Sequence, residues 1–315
     1  MQGIQRTAQL LEENIGKVIV GKQSVIELIL NAILCKGHVL IEDVPGVGKT
    51  TLVSALARSL DCSFKRIQFT PDITPSDVTG FSIVNFKTGE LEYRQGMIMS
   101  QIVLADEINR TSPKTQSSLL EVMEEGQVSV DGTTYKMPEP FIVLATQNPT
   151  DFVGTYPLPE AQLDRFFMRI NIGYPSMDEE AAILERFTNG INPMKDLKPI
   201  CNASEIVVLQ KQVETVYAAK EIRTYISQIA AASRKSNALQ LGVSTRAAIA
   251  LLKASQARAL LDGRDYVVPE DVKRMAEPVL AHRILLSPEA RMRNMTNERV
   301  LASVLNSVQV PVKVR

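Results

Sequence analysis

A glycine-containing loop constrains the fold of this chain more than any other segment. Residues 38–52 read HVLIEDVPGVGKTTL, an apolar run, then Gly46 and Gly48, then Lys49-Thr50 at the start of a helix. The N–H groups at a helix start attract anions, and glycines let the backbone approach them closely. In such loops the lysine pairs with the β- and γ-phosphates, and the threonine hydroxyl binds Mg²⁺. The segment therefore predicts a site for a nucleoside triphosphate.

The loop departs from the pattern G-x-x-x-x-G-K-[ST] at one position, where Asp43 replaces the first glycine. Asp43 precedes Pro45 at the outer edge of the loop, away from the glycines that must approach phosphate. Because Asp adopts left-handed backbone angles more readily than most residues, we expect the turn to form. The alternative interpretation is a strand-to-helix turn with an incidental Lys-Thr pair.

Two adjacent carboxylates, Asp106 and Glu107, end a second apolar run, IVLADE. Burying two carboxylates at a strand end is costly unless a cation or a reaction needs them. Asp106 suits Mg²⁺ bound through water, and Glu107 suits a base that orients an attacking water. Alone, such a strand end is more often a turn or a cap. After a phosphate-binding loop, it indicates a hydrolytic site.

Further polar candidates follow later in the chain. FIVLATQNP ends in Gln147 and Asn148, which could hold the water or the γ-phosphate, although Asn before Pro is also a common turn residue. Arg165, in LPEAQLDRFF, is either a positive finger that offsets phosphoryl charge or a surface partner of Asp164. Arg246, in GVSTRAAIALL, either reaches the same phosphates across the boundary between the two halves or is a solvated residue of a first helical turn.

Short apolar runs alternate with helical stretches in the first half, as in a parallel sheet of βαβ units. The five runs are HVLIED, FKRIQF, QIVLADE, FIVLATQN and FFMRINI. Two hairpins are predicted as insertions, VNFKTGELEY and QVSVDGTTY, the second turning on Asp131-Gly132. A helix is predicted between them, with Ser112 as N-cap, Pro113 at its first position and Gly126 as its terminator.

After Tyr174-Pro175 the chain becomes rich in Ala, Leu, Glu and Lys, and three long stretches predict helices, with caps at Ser244 and near Pro269. The segment 189–201, NGINPMKDLKPIC, is typical of a connector. We therefore predict an α/β nucleotide-binding domain with hairpin insertions over residues 1–195 and a helical domain over residues 196–315.

These motifs in this order resemble the MoxR family of AAA+ ATPases over nearly the whole chain. The matching segments are LIEDVPGVGKT, IVLADEINR, SPKTQSSLLEVMEEGQVSVDG, VLATQNP, PLPEAQLDRF and GVSTRAAI. The resemblance implies a P-loop AAA+ fold, with a five-stranded parallel sheet between helices followed by an all-α lid. It also implies ATP hydrolysis with Mg²⁺ in a hexameric ring that holds ATP between neighbouring subunits. Glu-Asp-x-Pro-Gly is similar to the loop of MoxR-like proteins, which favours nucleotide binding despite Asp43.

The resemblance implies a role for each candidate residue. The nucleotide-binding loop comprises Pro45, Gly46, Val47, Gly48, Lys49, Thr50 and Thr51. Mg²⁺ is assigned to Thr50 and Asp106, and activation of water to Glu107. Asn148 matches sensor 1, Arg165 the finger inserted into the next subunit, and Arg246 the sensor 2 arginine of the lid. The segment GKVIVGKQ implies that Val18, Ile19, Val20 and Gly21 pack against adenine.

Composition restricts the remaining possibilities. Lys plus Arg and Asp plus Glu are 35 each, so the formal net charge is zero, whereas nucleic-acid-binding chains are usually basic. The three cysteines are far apart, the N-terminal segment carries acidic residues and has no apolar signal-peptide core, and no stretch of about 18 consecutive apolar residues occurs. These features favour a cytoplasmic protein without membrane insertion. Neither His38 nor His282 lies in a ligand-like cluster, so no transition metal is expected.

The leading hypothesis is a chaperone-like, ATP-driven remodeller of protein partners. Through the resemblance, candidate partners or adaptors include proteins with von Willebrand A domains, and candidate roles include enzyme maturation and insertion of metal cofactors. A nucleic-acid motor and a slow nucleotide-gated switch are the alternatives, although the chain has no Lys/Arg-rich run and no DNA-reading module. The two hairpins either contact the client or only decorate the sheet.

Overall fold

The computed structural model describes residues 2–148, 154–190 and 192–311. The strands are β1 (Val39–Glu42), β2 (Phe64–Gln68), β3 (Gly80–Val84), β4 (Leu91–Gln95), β5 (Ile102–Asp106), β6 (Gln127–Val130), β7 (Thr133–Lys136), β8 (Ile142–Gln147), β9 (Met168–Ile170), β10 (Leu239–Leu241) and β11 (Leu285–Leu286). The α-helices are α1 (Gln2–Gly16), α2 (Gln23–Leu34), α3 (Lys49–Ser59), α4 (Pro75–Thr79), α5 (Pro113–Glu125), α6 (Glu160–Leu163), α7 (Met177–Thr188), α8 (Pro193–Asp196), α9 (Ala203–Val213), α10 (Lys220–Lys235), α11 (Thr245–Leu261), α12 (Pro269–Leu280), α13 (Pro288–Met292) and α14 (Asn297–Ser307). Short 3₁₀ helices cover Ile108–Arg110 and Ala281–Arg283.

Within the described ranges, the central sheet has five strands in the order β2-β5-β8-β1-β9. All four neighbouring pairs are parallel. The three inner strands β5, β8 and β1 are buried along almost their whole length, which explains why they read as unbroken apolar runs rather than as alternating patterns. The predicted five-stranded parallel sheet is confirmed.

The parallel arrangement gives the sheet two chemically different edges. We call the side where β1, β5 and β8 end, at Glu42, Asp106 and Gln147, the carboxyl edge. We call the side where β1 and β9 begin, at Val39 and Met168, the amino edge. A four-residue strand such as β1 is about 13 Å long, so side chains at the two edges are far apart.

Helix α5 connects these two edges. Ser112 accepts the N–H of Thr115, Pro113 occupies the first helical position, and Gly126 ends the helix with φ 62°, as predicted. The far end of α5 is fixed at the amino edge by His38, whose Nε2 lies 2.8 Å from the Met123 carbonyl and whose Nδ1 accepts the N–H of Val143. Burial lowers the pKa of His38 to about 4, so this imidazole is neutral and donates from Nε2.

Both predicted hairpins form outside the central sheet. Strand β3 pairs antiparallel with β4, and β6 pairs antiparallel with β7. The second turn has positive φ at Asp131 and Gly132, 49° and 79°, as the sequence predicts. Tyr93 of β4 stacks on Tyr135 of β7, with ring centroids 4.0 Å apart and planes 16° apart, so an aromatic contact joins the two hairpins.

The second half is helical, as predicted, with Ser244 capping α11 through the N–H of Ala247. It also contains a short antiparallel ribbon, β10 with β11, that the prediction lacked, because two or three residues carry no periodic signal. The connector 189–201 includes the four-residue helix α8. Helices of both halves share one hydrophobic core, which includes Leu30 and Leu251, and the domain boundary at residue 195 stays a prediction. No helix in the described part of the chain is long and apolar enough to cross a bilayer.

Candidate functional site

The glycine loop follows β1 at the carboxyl edge and leads into α3. Gly46 and Gly48 have φ of 87° and 86°, angles that strain any residue with a Cβ. No heavy atom lies within 4 Å of the position that a Cβ would occupy at either glycine, so the loop encloses open space. It forms one wall of a cavity of about 380 Å³. The lining residues are Pro45, Gly46, Gly48, Lys49, Thr50, Thr51, Arg66, Gln68, Asp106, Glu107 and Asn148.

Lys49 is held over the loop by a backbone contact. Its Nζ donates to the Asp43 carbonyl at 2.7 Å. Burial lowers the pKa of Lys49, while the negative charges of Asp43, Asp106 and Glu107 act in the opposite direction. The ammonium group therefore lies in a partly desolvated site, where its attraction to an arriving phosphate is stronger than it is in water.

Asp43 has a structural role that the sequence did not reveal. One carboxylate oxygen accepts the N–H groups of Ile172 and Gly173, both at 2.7 Å, and the other accepts the N–H of Val44 at 2.9 Å. The turn forms as expected, but Asp43 is not among the described residues with positive φ, so a tolerance for left-handed backbone angles is not the reason. An aspartate stands at this position because its buried carboxylate ties the start of the loop to the end of β9.

Substitution of Asp43 by alanine is expected to lower the free energy of unfolding by about 2 kcal/mol, because three N–H groups lose their acceptor. Urea denaturation followed by circular dichroism measures this change. Asp43→Asn retains one acceptor oxygen and should lose less. A decrease below about 0.5 kcal/mol for the alanine variant, the size of an ordinary surface effect, would contradict this role.

Asp106 and Glu107 are held by Thr146 of the neighbouring strand β8. The Thr146 hydroxyl donates to Asp106 Oδ1 at 2.6 Å and accepts the N–H of Glu107 at 2.9 Å. On its other side, Asp106 Oδ2 accepts two bonds from Arg66, at 3.1 Å from Nε and 2.6 Å from Nη2. Both carboxylate oxygens of Asp106 thus accept hydrogen bonds from neighbouring strands of the sheet, which fixes the orientation of the carboxylate.

Glu107 leaves the strand in the left-handed region, with φ 58°. This conformation is uncommon for a residue with a long side chain and costs of order 1 kcal/mol, so surrounding contacts must hold it. Gln68 Nε2 donates to Glu107 Oε2 at 2.9 Å, and Arg110 Nε lies 3.2 Å from the same oxygen. The strained turn directs the carboxylate into the cavity beside Lys49.

Arg66, Gln68 and Thr146 were not among the residues predicted for this site. A signal was present in β2, where the buried Ile67 lies between the exposed Arg66 and Gln68. This period of two places both polar side chains on the same face of β2, and Gln68 pairs in register with Asp106. The strand order that makes β2 a neighbour of β5 was the missing information.

The two residues at the end of β8 differ in their surroundings. Asn148 is buried and lines the loop cavity, at the place predicted for it. Gln147 donates instead to Glu42 of β1 and is not among the residues that line this cavity, so its contact with water or phosphate stays a prediction. Val47 packs against the main core rather than lining the cavity.

Val18, Ile19, Val20 and Gly21 follow α1 and do not line the loop cavity, as far as the described residues define it. Val18 and Ile19 pack against the main core, and Arg186 donates to the carbonyl of Lys17 beside them at 2.8 Å. Their contact with adenine stays a prediction.

Arg165 and Arg246 lie at the amino edge, away from the loop. Both line a second cavity, of about 340 Å³, together with Lys36 and His38 just before β1. Among the described residues, none lines both cavities. The expectation that Arg246 reaches the phosphates of its own chain is therefore wrong, because the start of α11 lies against the far end of α5, where Arg246 pairs with Glu124.

The carboxyl-edge cavity fits a Mg²⁺-bound nucleotide. Hard oxygen ligands, few from the protein and the rest from phosphate and water, are typical of Mg²⁺, and Thr50 and Asp106 both line the cavity. The open cradle at Gly46 and Gly48 suits a phosphate chain. Within residues 2–148, 154–190 and 192–311, no cluster of three or more His, Cys, Asp or Glu side chains could hold a metal ion. Phosphate and water oxygens would therefore complete the ligands of Mg²⁺.

Comparison with known proteins agrees with this geometry. The model of the ATPase family associated with various cellular activities (AAA) matches residues 38–168, and that of the AAA lid domain matches residues 231–304. A protein from Cytophaga hutchinsonii that is assigned as an ATPase has a crystal structure similar to this chain, with a TM-score of 0.91, 37% identity, and coverage of 98% of this chain and 96% of that one.

Curated relatives are similar over most of their length. The uncharacterized protein YeaC of Bacillus subtilis is 53% identical over 301 residues, which cover 96% of this chain and 94% of that protein. The chaperone MoxR1 of Mycobacterium tuberculosis is 41% identical over 304 residues, with coverage of 94% and 80%. Protein MoxR of Paracoccus denitrificans is 30% identical over 308 residues, with coverage of 88% of each chain.

The parallel sheet, the glycine loop with Lys49, and the paired acids Asp106 and Glu107 define a P-loop ATPase fold of the AAA+ class, followed by its helical lid. Within that class, the chain belongs to the MoxR family.

Proposed function

We propose that this chain hydrolyses ATP in the carboxyl-edge cavity and uses the energy to remodel protein partners. The observation that carries the proposal is the convergence of Lys49, Asp106 and Glu107 on one cavity beside an open glycine cradle. These three groups supply phosphate binding, a metal ligand and a base, which together suffice for attack of water on a terminal phosphate.

Each residue has a chemical task in this proposal. Backbone N–H groups at Gly46 and Gly48, together with the Lys49 ammonium, bind the phosphates. Glu107 accepts a hydrogen bond from water and orients it for attack, while Gln68 and Arg110 hold the carboxylate. Mg²⁺, held by Thr50 and Asp106, would neutralise charge on the phosphates. Asn148, which lines the same cavity, fixes the water or the terminal phosphate in this proposal.

Arg165 and Arg246 act, in this proposal, on the nucleotide of a neighbouring copy. Both lie at the opposite edge of the sheet from the loop of their own chain. A ring in which the amino edge of one subunit faces the carboxyl edge of the next brings these arginines to the phosphates, and a hexamer is the ring we propose. Hydrolysis then changes contacts between subunits, which converts bond cleavage into relative motion.

Substitution of Arg165 by alanine tests this arrangement. We expect hydrolysis to decrease about 100-fold in the pure variant, because charge developing on the phosphoryl group loses a donor. In mixed rings, each variant subunit should also decrease ATP hydrolysis at the site of the wild-type neighbour that its Arg165 would otherwise contact. Phosphate release, measured while variant subunits are added to a fixed amount of wild-type protein, should therefore fall. Arg223→Ala, an exposed arginine of α10, is the control and should have no such effect.

If activity in these mixtures simply tracks the number of wild-type subunits, Arg165 does not act between subunits. If the pure variant hydrolyses ATP at the wild-type rate, Arg165 takes no part in the reaction at all.

Protein partners are favoured over nucleic acid by charge and by similarity. The chain has no net charge, and a similar protein is named a chaperone. The β3–β4 hairpin presents Phe86, which is 99% exposed, and Leu91, which is 64% exposed, an arrangement suited to apolar segments of a protein client. A partner with a von Willebrand A domain, a role in inserting a metal cofactor, and a cytoplasmic location complete the proposal.

A further inference from the structure

Arg165 and Arg246 share one carboxylate, that of Glu124 near the end of α5. Glu124 Oε2 lies 3.3 Å from Arg165 Nε, and Glu124 Oε1 lies 3.1 Å from Arg246 Nη1. Arg165 is half-buried, whereas Glu124 and Arg246 are exposed, and all three side chains line the amino-edge cavity. One acidic side chain therefore stands between two basic ones.

The network continues to a rigid anchor. Arg246 Nε lies 3.9 Å from Asp164 Oδ2, and Arg283 donates from Nη1 to Asp164 Oδ1 at 2.9 Å. Arg283 is buried and also donates to the carbonyl of Phe166 at 2.6 Å. Positive and negative groups thus alternate from the exposed Arg246 to the buried Arg283, which is fixed to the backbone just before β9.

The members of this network come from both halves of the chain. Glu124, Asp164 and Arg165 belong to the α/β half, whereas Arg246 and Arg283 belong to the helical half. The network consequently fixes the start of α11 against the end of α5. Helix α5 begins at Pro113, six residues after Glu107 in the sequence. Glu124 therefore lies at the end of α5 that is far from the carboxyl-edge cavity.

Simple electrostatics explains why a carboxylate is needed here. Two guanidinium groups repel one another at short range, and this repulsion is appreciable where water is partly excluded. Arg165 and Arg246 therefore do not stay together by themselves before a phosphate arrives. A carboxylate that forms an ion pair with each of them keeps them close together and restricts their rotamers, which lowers the entropic cost of binding one phosphate with both.

We propose that Glu124 is a positioning residue, which holds Arg165 and Arg246 together as one cationic unit for the terminal phosphate bound by a neighbouring copy. This inference rests on the proposed function, in which both arginines act between subunits. In this proposal, Glu124 contacts neither the nucleotide nor the attacking water and acts only through the arginines.

Substitution of Glu124 by glutamine tests the proposal. We expect kcat for ATP hydrolysis to decrease about tenfold, while KM changes less than about twofold, because misplaced arginines weaken mainly the transition state. Glu124→Asp keeps the charge and should retain part of kcat. Glu125→Gln removes the same charge from the adjacent exposed position and should match wild type. Thermal melting of each variant confirms that it is folded.

A double-mutant cycle separates positioning from other effects. In an Arg165→Ala, Arg246→Ala background, adding Glu124→Gln should not decrease kcat further, because the groups it positions are gone. The proposal would be overturned if Glu124→Gln decreased kcat by the same factor in that background as in the wild-type protein. It would also be overturned if Glu124→Gln alone left kcat unchanged or increased it.

Failure of the proposed function gives a different pattern. If the Arg165→Ala, Arg246→Ala background itself hydrolyses ATP at the wild-type rate, the action of these arginines between subunits is wrong, and the role of Glu124 is overturned with it. If that background is impaired while Glu124→Gln is not, only the positioning role is overturned.

Discussion

Substitution of Glu107 by glutamine is expected to decrease steady-state ATP hydrolysis by about 10²- to 10⁴-fold, the contribution of a well-placed general base. The amide has nearly the same shape but cannot take up a proton from water. Lys49, Thr50 and Asp106 remain, so the affinity for ATP should stay within about threefold of wild type. Phosphate release measures the first quantity, and titration with a fluorescent ATP analogue measures the second.

The matched control is Glu121→Gln, which makes the same change on the exposed face of α5. Its turnover should equal that of wild type. Wild-type turnover in the Glu107 variant would remove Glu107 from its role, and a large loss of affinity would show that its carboxylate serves binding instead.

The Glu107→Gln protein also distinguishes a protein remodeller from a nucleic-acid motor. With ATP present, it should remain in the nucleotide-bound state and retain a protein partner that ADP releases. Duplex DNA should neither bind it in a salt-dependent way nor stimulate hydrolysis by wild-type protein. Either DNA effect would reverse the ranking of the two functions.

Substitution of Lys49 by alanine is expected to weaken ATP binding about 100-fold, or roughly 3 kcal/mol, because a charge-assisted contact with phosphate is lost. The loss should be larger for ATP than for AMP, since a lysine at this position addresses the β- and γ-phosphates. Isothermal titration calorimetry with each nucleotide measures both affinities.

Lys65→Ala removes an exposed lysine of β2 and serves as the control for lost charge. It should bind ATP as wild type does. Unchanged affinity in the Lys49 variant would contradict the assignment of the glycine loop as the phosphate cradle. An equal loss for AMP would indicate a disturbed fold rather than a missing phosphate contact.

Features encoded by neighbouring residues were predictable from the sequence. The strands at the centre of the sheet were visible because burial on both faces demands unbroken apolar runs. Helix α5 was visible because Ser112, Pro113 and Gly126 each have a local conformational preference that fixes its ends. The glycine loop and the two acids at the end of β5 were predictable because their chemistry requires particular residue types at fixed spacings.

Features that depend on packing between distant segments were not predictable in this way. The carboxylate of Asp43 accepts hydrogen bonds from N–H groups about 130 positions later in the chain, and no local sequence pattern indicates such a contact. Arg66 becomes relevant only when β2 lies beside β5. The location of Arg246 depends on how the helical half docks, so helical periodicity could predict its helix but not the edge of the sheet that it faces.

The stacked rings of Tyr93 and Tyr135 couple the movements of the two hairpins. If one hairpin moved relative to the other, the two rings would lose their stacked contact, which stabilises the pair. Strand β6 begins two residues after the last residue of α5. A force on the loop that carries Phe86, between β3 and β4, therefore reaches α5 through the stacked rings and the β6–β7 hairpin. A force applied to one hairpin is therefore shared with the other through this single aromatic contact.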